Sequence, residues 1–198
     1  MFFKKKNVPA EVKAVKLEKW YDKLEEPNKV ILERYLANAN TSSEFLFYKS
    51  IIDAALIDEN YGFATLMCQY ASDSKIDDYQ RFKINECMID SLIGESKYDD
   101  AKAICESNLS LYPSIATILI EENNGKIPNN LNFRNRYIDI LVGVESEYDL
   151  ANEMLDKYNE MGILTDDDLE YRKQSLKIRR LQKSFDSVYT YRPVGEDR

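Results

Sequence analysis

Histidine is absent from the chain. That removes the usual general base, the Ser–His and Cys–His nucleophile pairs and imidazole metal ligation. Cys68, Cys87 and Cys105 lie far apart, with no Cys-x-x-Cys pair; they make neither a zinc set nor a disulfide framework. Their place in apolar helical patterns predicts buried free thiols. The six glycines are scattered and form no phosphate-cradling loop. "DSKIDD" and "TDDDLE" do not match a calcium loop. Paired acids can do acid–base work, but no pair is singled out, so no catalytic residue, metal or cofactor is expected. A different pattern remains. Asp53 lies eight residues before Tyr61, Asp90 eight before Tyr98, and Asp139 nine before Tyr148; Lys49, Glu86 and Arg136 lie upstream, with Tyr48 and Asn85 at matching positions. Recurrent carboxylates flanked by a few cations suit an extended basic or polar peptide, or else are solvated helix faces.

These residues need helices to position them, and the composition supplies helices. Glycine (6) and proline (5) are scarce among 198 residues, 44% of them hydrophobic and 31% charged, which favours long helices over a turn-rich sheet. The formal charge of −8 disfavours a nucleic-acid partner. The 14 tyrosines point to aromatic packing or a recognition surface. No apolar run reads as a membrane span, and "MFFKKK" carries its charge on the wrong side for a signal peptide; the chain fits a cytoplasmic protein.

Residues 1–8 read as a flexible terminus. Residues 9–38 read as a helical hairpin, with Pro9 opening a helix that runs to Leu24 and Pro27 opening a second. Ser42 or Ser43 can cap the next helix. "EFLFYKSIIDAALID" and "ENYGFATLMCQYA" form a pair, and a long helix covers Asp78 to Ile93, with Gly94 placed to end it. The helix "ESKYDDAKAICESNLSLYP" should stop at Pro113, "SIATILIEENNG" should form a separate short helix ending at Gly125, and Asn129 or Asn130 should cap the following one. "VESEYDLANEMLDKYNEMG" precedes a last long helix over 165–190, where Thr165 and Asp168 make a capping box; a loose tail, 191–198, follows.

Tyr-x-x-Ala occurs at Tyr61/Ala64, Tyr98/Ala101 and Tyr148/Ala151, each time opening a helix that follows an apolar one. Alanine lets the preceding helix approach closely, and tyrosine fills the wedge at the turn. With Pro113 twelve residues after Ala101 and Ala71 seven after Ala64, residues 43–162 resemble the tetratricopeptide repeat. The copies stand 37 and 50 residues apart, against a family period of about 34. Asn108 occupies a position where a small apolar residue is usual, and the Trp-x-x-Leu-Gly signature of the first helices is missing.

The resemblance implies an all-α array of antiparallel helical hairpins, a right-handed superhelix of about ten helices with a long C-terminal capping helix. The alternatives are another hairpin array or an irregular bundle. It also implies a groove lined by the first helices, where Tyr48, Lys49, Asp53, Asn85, Glu86, Asp90, Arg136 and Asp139 would meet a peptide or helix of another protein, without enzymatic activity. In the last helix Leu169, Leu176, Leu181, Phe185 and Val188 form an apolar side, which Ile178 widens. That side would cap the array in cis or dock a second copy, so the alternative function is an assembly subunit. The basic run "KIRRLQK" reads as a solvated face rather than a phosphate contact.

Overall fold

The computed structural model describes residues 8–190, with side chains described through residue 185. The expectations for the N-terminal segment before Val8, the tail, Val188 and the last tyrosines lie outside those limits. Among the described residues there are ten α-helices and no strand: α1 (Ala10–Ala14), α2 (Glu18–Lys23), α3 (Glu26–Tyr35), α4 (Glu44–Ile57), α5 (Tyr61–Asp73), α6 (Asp78–Gly94), α7 (Tyr98–Glu122), α8 (Asn132–Ile140), α9 (Tyr148–Glu160) and α10 (Asp166–Thr190). A 3-10 turn (Leu36–Asn38) follows α3, and a π turn (Leu141–Glu145) follows α8.

Two boundaries differ from expectation. The helix predicted from Pro9 to Leu24 is broken at Lys16, which takes a left-handed conformation (φ 61). A continuous helix would set Val12 and Leu17 about 140° apart; the break lets both bury. Conversely, Pro113 does not end α7 but sits inside it, so "SIATILIEENNG" is the second half of a 25-residue helix rather than a separate one. Proline forgoes one helical hydrogen bond. Tyr112, Ile115 and Leu119, all at most 3% exposed, bracket it with buried area that outweighs this loss. The fused helix also reaches membrane-spanning length and a mean hydropathy of 1.2 over its most apolar window, a third of which is buried in the fold, where the sequence reading saw no such run.

The three Tyr-x-x-Ala sites prove to be one structural device used three times. Tyr61, Tyr98 and Tyr148 each start their helix, and Ala64, Ala101 and Ala151 are each fully buried. Two residues before each tyrosine stands a left-handed residue: Glu59 (φ 55), Ser96 (φ 60) and Ser146 (φ 65). The amide that follows returns to the preceding helix: Asn60 to the Ala55 carbonyl, Lys97 to Leu92 and Glu147 to Leu141, each at 2.8 Å. This is the Schellman closure. The first two span five residues and the third spans six; the extra residue is taken up in the π turn.

Packing follows the chain order. α4 packs on α5, α5 on α6, α6 on α7, α7 on α8, α8 on α9 and α9 on α10, while α4, α6 and α8 also touch one another in a row. α6 is common to two apolar cores. Ile84 and Cys87 join the core of Val12, Tyr48, Ile51 and Met67; Phe82 and Ile89 join that of Tyr112, Phe133, Leu155 and Tyr158.

Gly94 is the last residue of α6, but the left-handed position is Ser96. Its bare Cα serves close approach instead: a Cβ there would stand 2.4 Å from Cγ of the Tyr61 ring. Gly94→Ala should therefore lower stability by about 1–3 kcal/mol, read from urea unfolding. The same substitution made in a Tyr61→Ala chain should cost much less; additive costs would show that the ring is not the cause.

Candidate functional site

The carboxylates singled out by spacing all lie at helix–helix contacts, and each reaches forward to the helix after the next. Asp53 on α4 pairs with Lys49 (2.6 Å) and accepts the Cys87 thiol of α6 (3.7 Å). Asp90 on α6 accepts Arg136 Nε (2.9 Å) and Asn132 Nδ2 (2.7 Å), both on α8. Asp139 on α8 faces Arg179 of α10 at 3.7 Å. The same position in three successive units thus stitches α4 to α6, α6 to α8 and α8 to α10. Exposed pairs of this kind each contribute about 0–1 kcal/mol.

Two of the proposed groove residues are buried and a third is half-buried. Tyr48 is 2% exposed and packs edge-on against Trp20 (5.4 Å between ring centres) and Phe47 (5.9 Å). Asn85 is buried and donates to Asn108 Oδ1 of α7 (2.9 Å). Glu86 is half-buried among α6, α7 and α8, where its carboxylate caps α8 from outside that helix. It accepts the backbone N–H of Asn132 (2.5 Å) and of Phe133 (3.0 Å), and the side-chain amide of Asn108 (3.0 Å). The expected cap from Asn129 or Asn130 is not formed; Leu131 holds the cap position without a side-chain bond, and a carboxylate supplied in trans satisfies the orphan donors. Burial, with the charge of Asp90 adding to it, holds the Glu86 carboxyl above its ordinary value despite the three N–H donors.

Residues missed in the sequence complete the arrangement. Asn108, fully buried, is the polar hinge between Asn85 and Glu86, which explains its departure from the small apolar residue of the repeat pattern. Arg134 is 1% exposed and donates to the carbonyls of Ile163 (2.8 Å) and Asn129 (2.7 Å) and to Asn135 Oδ1 (3.2 Å). It ties the α7–α8 loop and the α9–α10 corner to α8. Burial and the positive charge of Arg172 bring its pKa down to about 10. A buried polar residue inside an amphipathic pattern was the one signal available, and it does not say which loop the side chain will reach.

The last helix divides into two parts. Leu176 is buried and Leu169 partly so, both against the C-terminal core. Arg180 pairs with Asp149 (2.7 Å) and lies over the Tyr148 ring (5.9 Å), and Lys173 pairs with Asp156. Beyond Leu176, every described residue of α10 is exposed. Tyr171 (73%), Ile178 (57%), Leu181 (59%) and Phe185 (61%) are its exposed large apolar side chains among the described residues. Ile178 follows Leu169 by nine residues, two and a half turns, so the stripe Tyr171–Ile178–Leu181–Phe185 lies on the face opposite the packed one. Capping in cis and a free apolar face therefore coexist on one helix. A cleft of about 500 Å³ runs beside it, between α8 (Asn135, Asp139) and α10 (Tyr171, Arg172, Ser175, Arg179).

Among the described residues no group of three His, Cys, Asp or Glu side chains is disposed to hold a metal ion. Cys68, Cys87 and Cys105 are buried and free. Burial pushes the Cys87 thiol up to about 12 and raises the other two, so none offers a thiolate near neutral pH.

No protein-family model, curated protein or solved structure matches the chain.

Two expectations follow. An acid whose folded pKa is raised ionises more readily in the unfolded chain, so its contribution is lost as pH climbs from about 4.5 through the folded value. Relative to Glu86→Gln, the parent protein should lose stability over that window; a difference that is flat or grows with pH would contradict a carboxyl raised by burial. In addition, a colorimetric disulfide reagent at pH 8 should leave all three thiols unlabelled for as long as the protein stays folded, and titrate three after denaturation. Rapid labelling of the native protein would show an accessible thiolate.

Proposed function

We propose that the protein is a non-enzymatic interaction module, a helical-hairpin array whose docking edge is the outer face of α10. The observation that carries this reading is the exposed stripe of Tyr171, Ile178, Leu181 and Phe185 on a helix whose other face packs on the C-terminal core through Leu169 and Leu176. Contiguous exposed apolar side chains on an otherwise charged surface mark contact sites.

The array reading is supported by the three equivalent corners and by the row of α4, α6 and α8, the arrangement of stacked helical pairs. α10 continues that row through the Asp139–Arg179 contact. The order in which the units stack is consistent with the tetratricopeptide-like superhelix. A peptide groove along the same row has less support, because Asp53, Asp90 and Asp139 already pair with groups of this chain. A ligand there would have to replace those partners as well as make its own contacts.

A Leu181→Glu/Phe185→Glu double variant should keep the helical circular dichroism and thermal midpoint of the parent, since neither side chain packs in the fold. Used as bait beside the parent, it should lose the parent's specific partner, whereas Asp53→Ala/Asp90→Ala should retain it. The opposite pattern, with the partner kept by the first variant and lost by the second, would move the contact to the groove.

A further inference from the structure

The outer face of α10 has the geometry of a helix seam. Tyr171, Ile178 and Phe185 recur every seven residues, and Gln174 and Leu181 fall three residues after the first two, the a and d spacing of a two-helix contact. The flanking positions are Glu170, Lys177 and Ser184 on one side and Ser175 and Gln182 on the other. Only two of these five are charged, and their signs are opposite. α10 as a whole carries five carboxylates beside six cations, and Lys173, Arg179 and Arg180 are paired with Asp156, Asp139 and Asp149 of the same fold. The seam is therefore apolar in its centre and close to neutral at its edges.

Neutral edges select among the candidate occupants. A two-fold contact is isologous, so each patch must complement itself. A row of like charges cannot do so. Apolar side chains can, and so can groups that both donate and accept a hydrogen bond, as Gln174, Ser175, Gln182 and the Tyr171 hydroxyl do. Gln174 donates to Glu170 within the helix (3.2 Å) and still offers its carbonyl and a second N–H. An acidic partner helix or an anionic membrane is held by cations at the seam margins, and Lys177 is the single cation there. The chain's own Met1, Phe2 and Phe3 join the fold at Val8, which packs on the N-terminal core, whereas α10 packs on the C-terminal one.

The place of α10 in the row points the same way. α4 packs on α3 and α5, α6 on α5 and α7, and α8 on α7 and α9, whereas α10 has α9 before it and no helix after it among the described residues. A stack of helical pairs needs a polar outer face where it ends in water; here the end is the apolar stripe. A second copy offering the same end would close both stacks at once. The four stripe side chains and their margins amount to on the order of 1,000 Å² over two copies. That is below the area of a tight interface, so such a dimer forms at micromolar rather than nanomolar concentration.

Resting on the reading of α10 as the docking edge, we propose that its occupant is a second copy of this chain. The two copies meet about a two-fold axis, with Tyr171, Ile178, Leu181 and Phe185 of each laid against the same stripe of the other.

The full chain would be followed by sedimentation velocity from about 1 to about 500 µM. Its weight-average mass should rise from 23.1 kDa toward twice that value. With neutral edges, the midpoint should move less than about threefold between about 0.1 and 0.5 M salt. Leu181→Glu/Phe185→Glu should stay monomeric throughout, with the helical circular dichroism of the parent at the dilute end. Ile178→Cys should form an interchain disulfide under mild oxidation, the three native cysteines being buried; Ile57→Cys, exposed at the end of α4, should not. A parent that stays monomeric to the top of the range overturns the second copy. The docking edge is then judged separately, by whether Leu181→Glu/Phe185→Glu abolishes binding to another protein or to phosphatidylserine vesicles. A dimer that survives in that variant, that Ile57→Cys captures as readily, or that salt dissolves, also overturns the proposal.

Discussion

The half-buried carboxylate of Glu86 is the constraint on which the C-terminal half of the fold depends. A helix that starts inside a protein must have its first amide donors satisfied. α8 does so with an oxygen pair borrowed from α6, and the Asn108 amide of α7 holds that carboxylate in place. Three helices are thus fixed by one side chain, and Asn85 extends the set to a chain of three side chains, two of them buried. Leaving any one of them without its partner would cost more than the net worth of an ordinary hydrogen bond. Since α6 belongs to both apolar cores, the same network also couples the N-terminal helices to the C-terminal ones.

Around that anchor, the fold repeats a single solution. A left-handed residue closes one helix, a tyrosine opens the next, and an alanine lets the two pack. The carboxylate on the first helix of each pair then reaches forward to the helix that begins the following pair. Acidic residues at recurring positions serve here as linkers between units. α10 receives the last of these links while keeping its far side bare, and its cations gather on the side that faces the rest of the fold, where Lys173, Arg179 and Arg180 pair with Asp156, Asp139 and Asp149.

What could be read from the sequence was what is decided locally. The Tyr-x-x-Ala spacing, the Ser43 cap, which accepts the Leu46 amide at 3.1 Å, and the Thr165–Asp168 pair at the start of α10 depend on neighbours within one turn. What could not be read depends on distant neighbours. Pro113 is a strong local stop signal, yet the buried side chains on either side of it carry α7 through. Glu86 and Asp90 differ by four residues, share a helix face and look equally solvated; one is enclosed because α8 starts beside it. Asp53, Asp90 and Asp139 were recognised as a set, but spacing shows that carboxylates recur, not what they face. On α10, periodicity revealed an apolar side, and only the packing separates Leu169 and Leu176, which are used, from Leu181 and Phe185, which are not.

The π turn at Leu141–Glu145 has the role of a vernier. One additional residue in a helix would advance everything beyond it by about 100° and 1.5 Å. Here the surplus is absorbed within a single turn, so that α8 keeps its alignment with Asp90 through Arg136 at one end and its corner with Tyr148 at the other. Two registrations that a straight helix of this length could not meet together are reconciled by a wider loop of backbone. The third unit can therefore differ from its predecessors in length while Tyr148 still opens α9 and Ala151 is still fully buried.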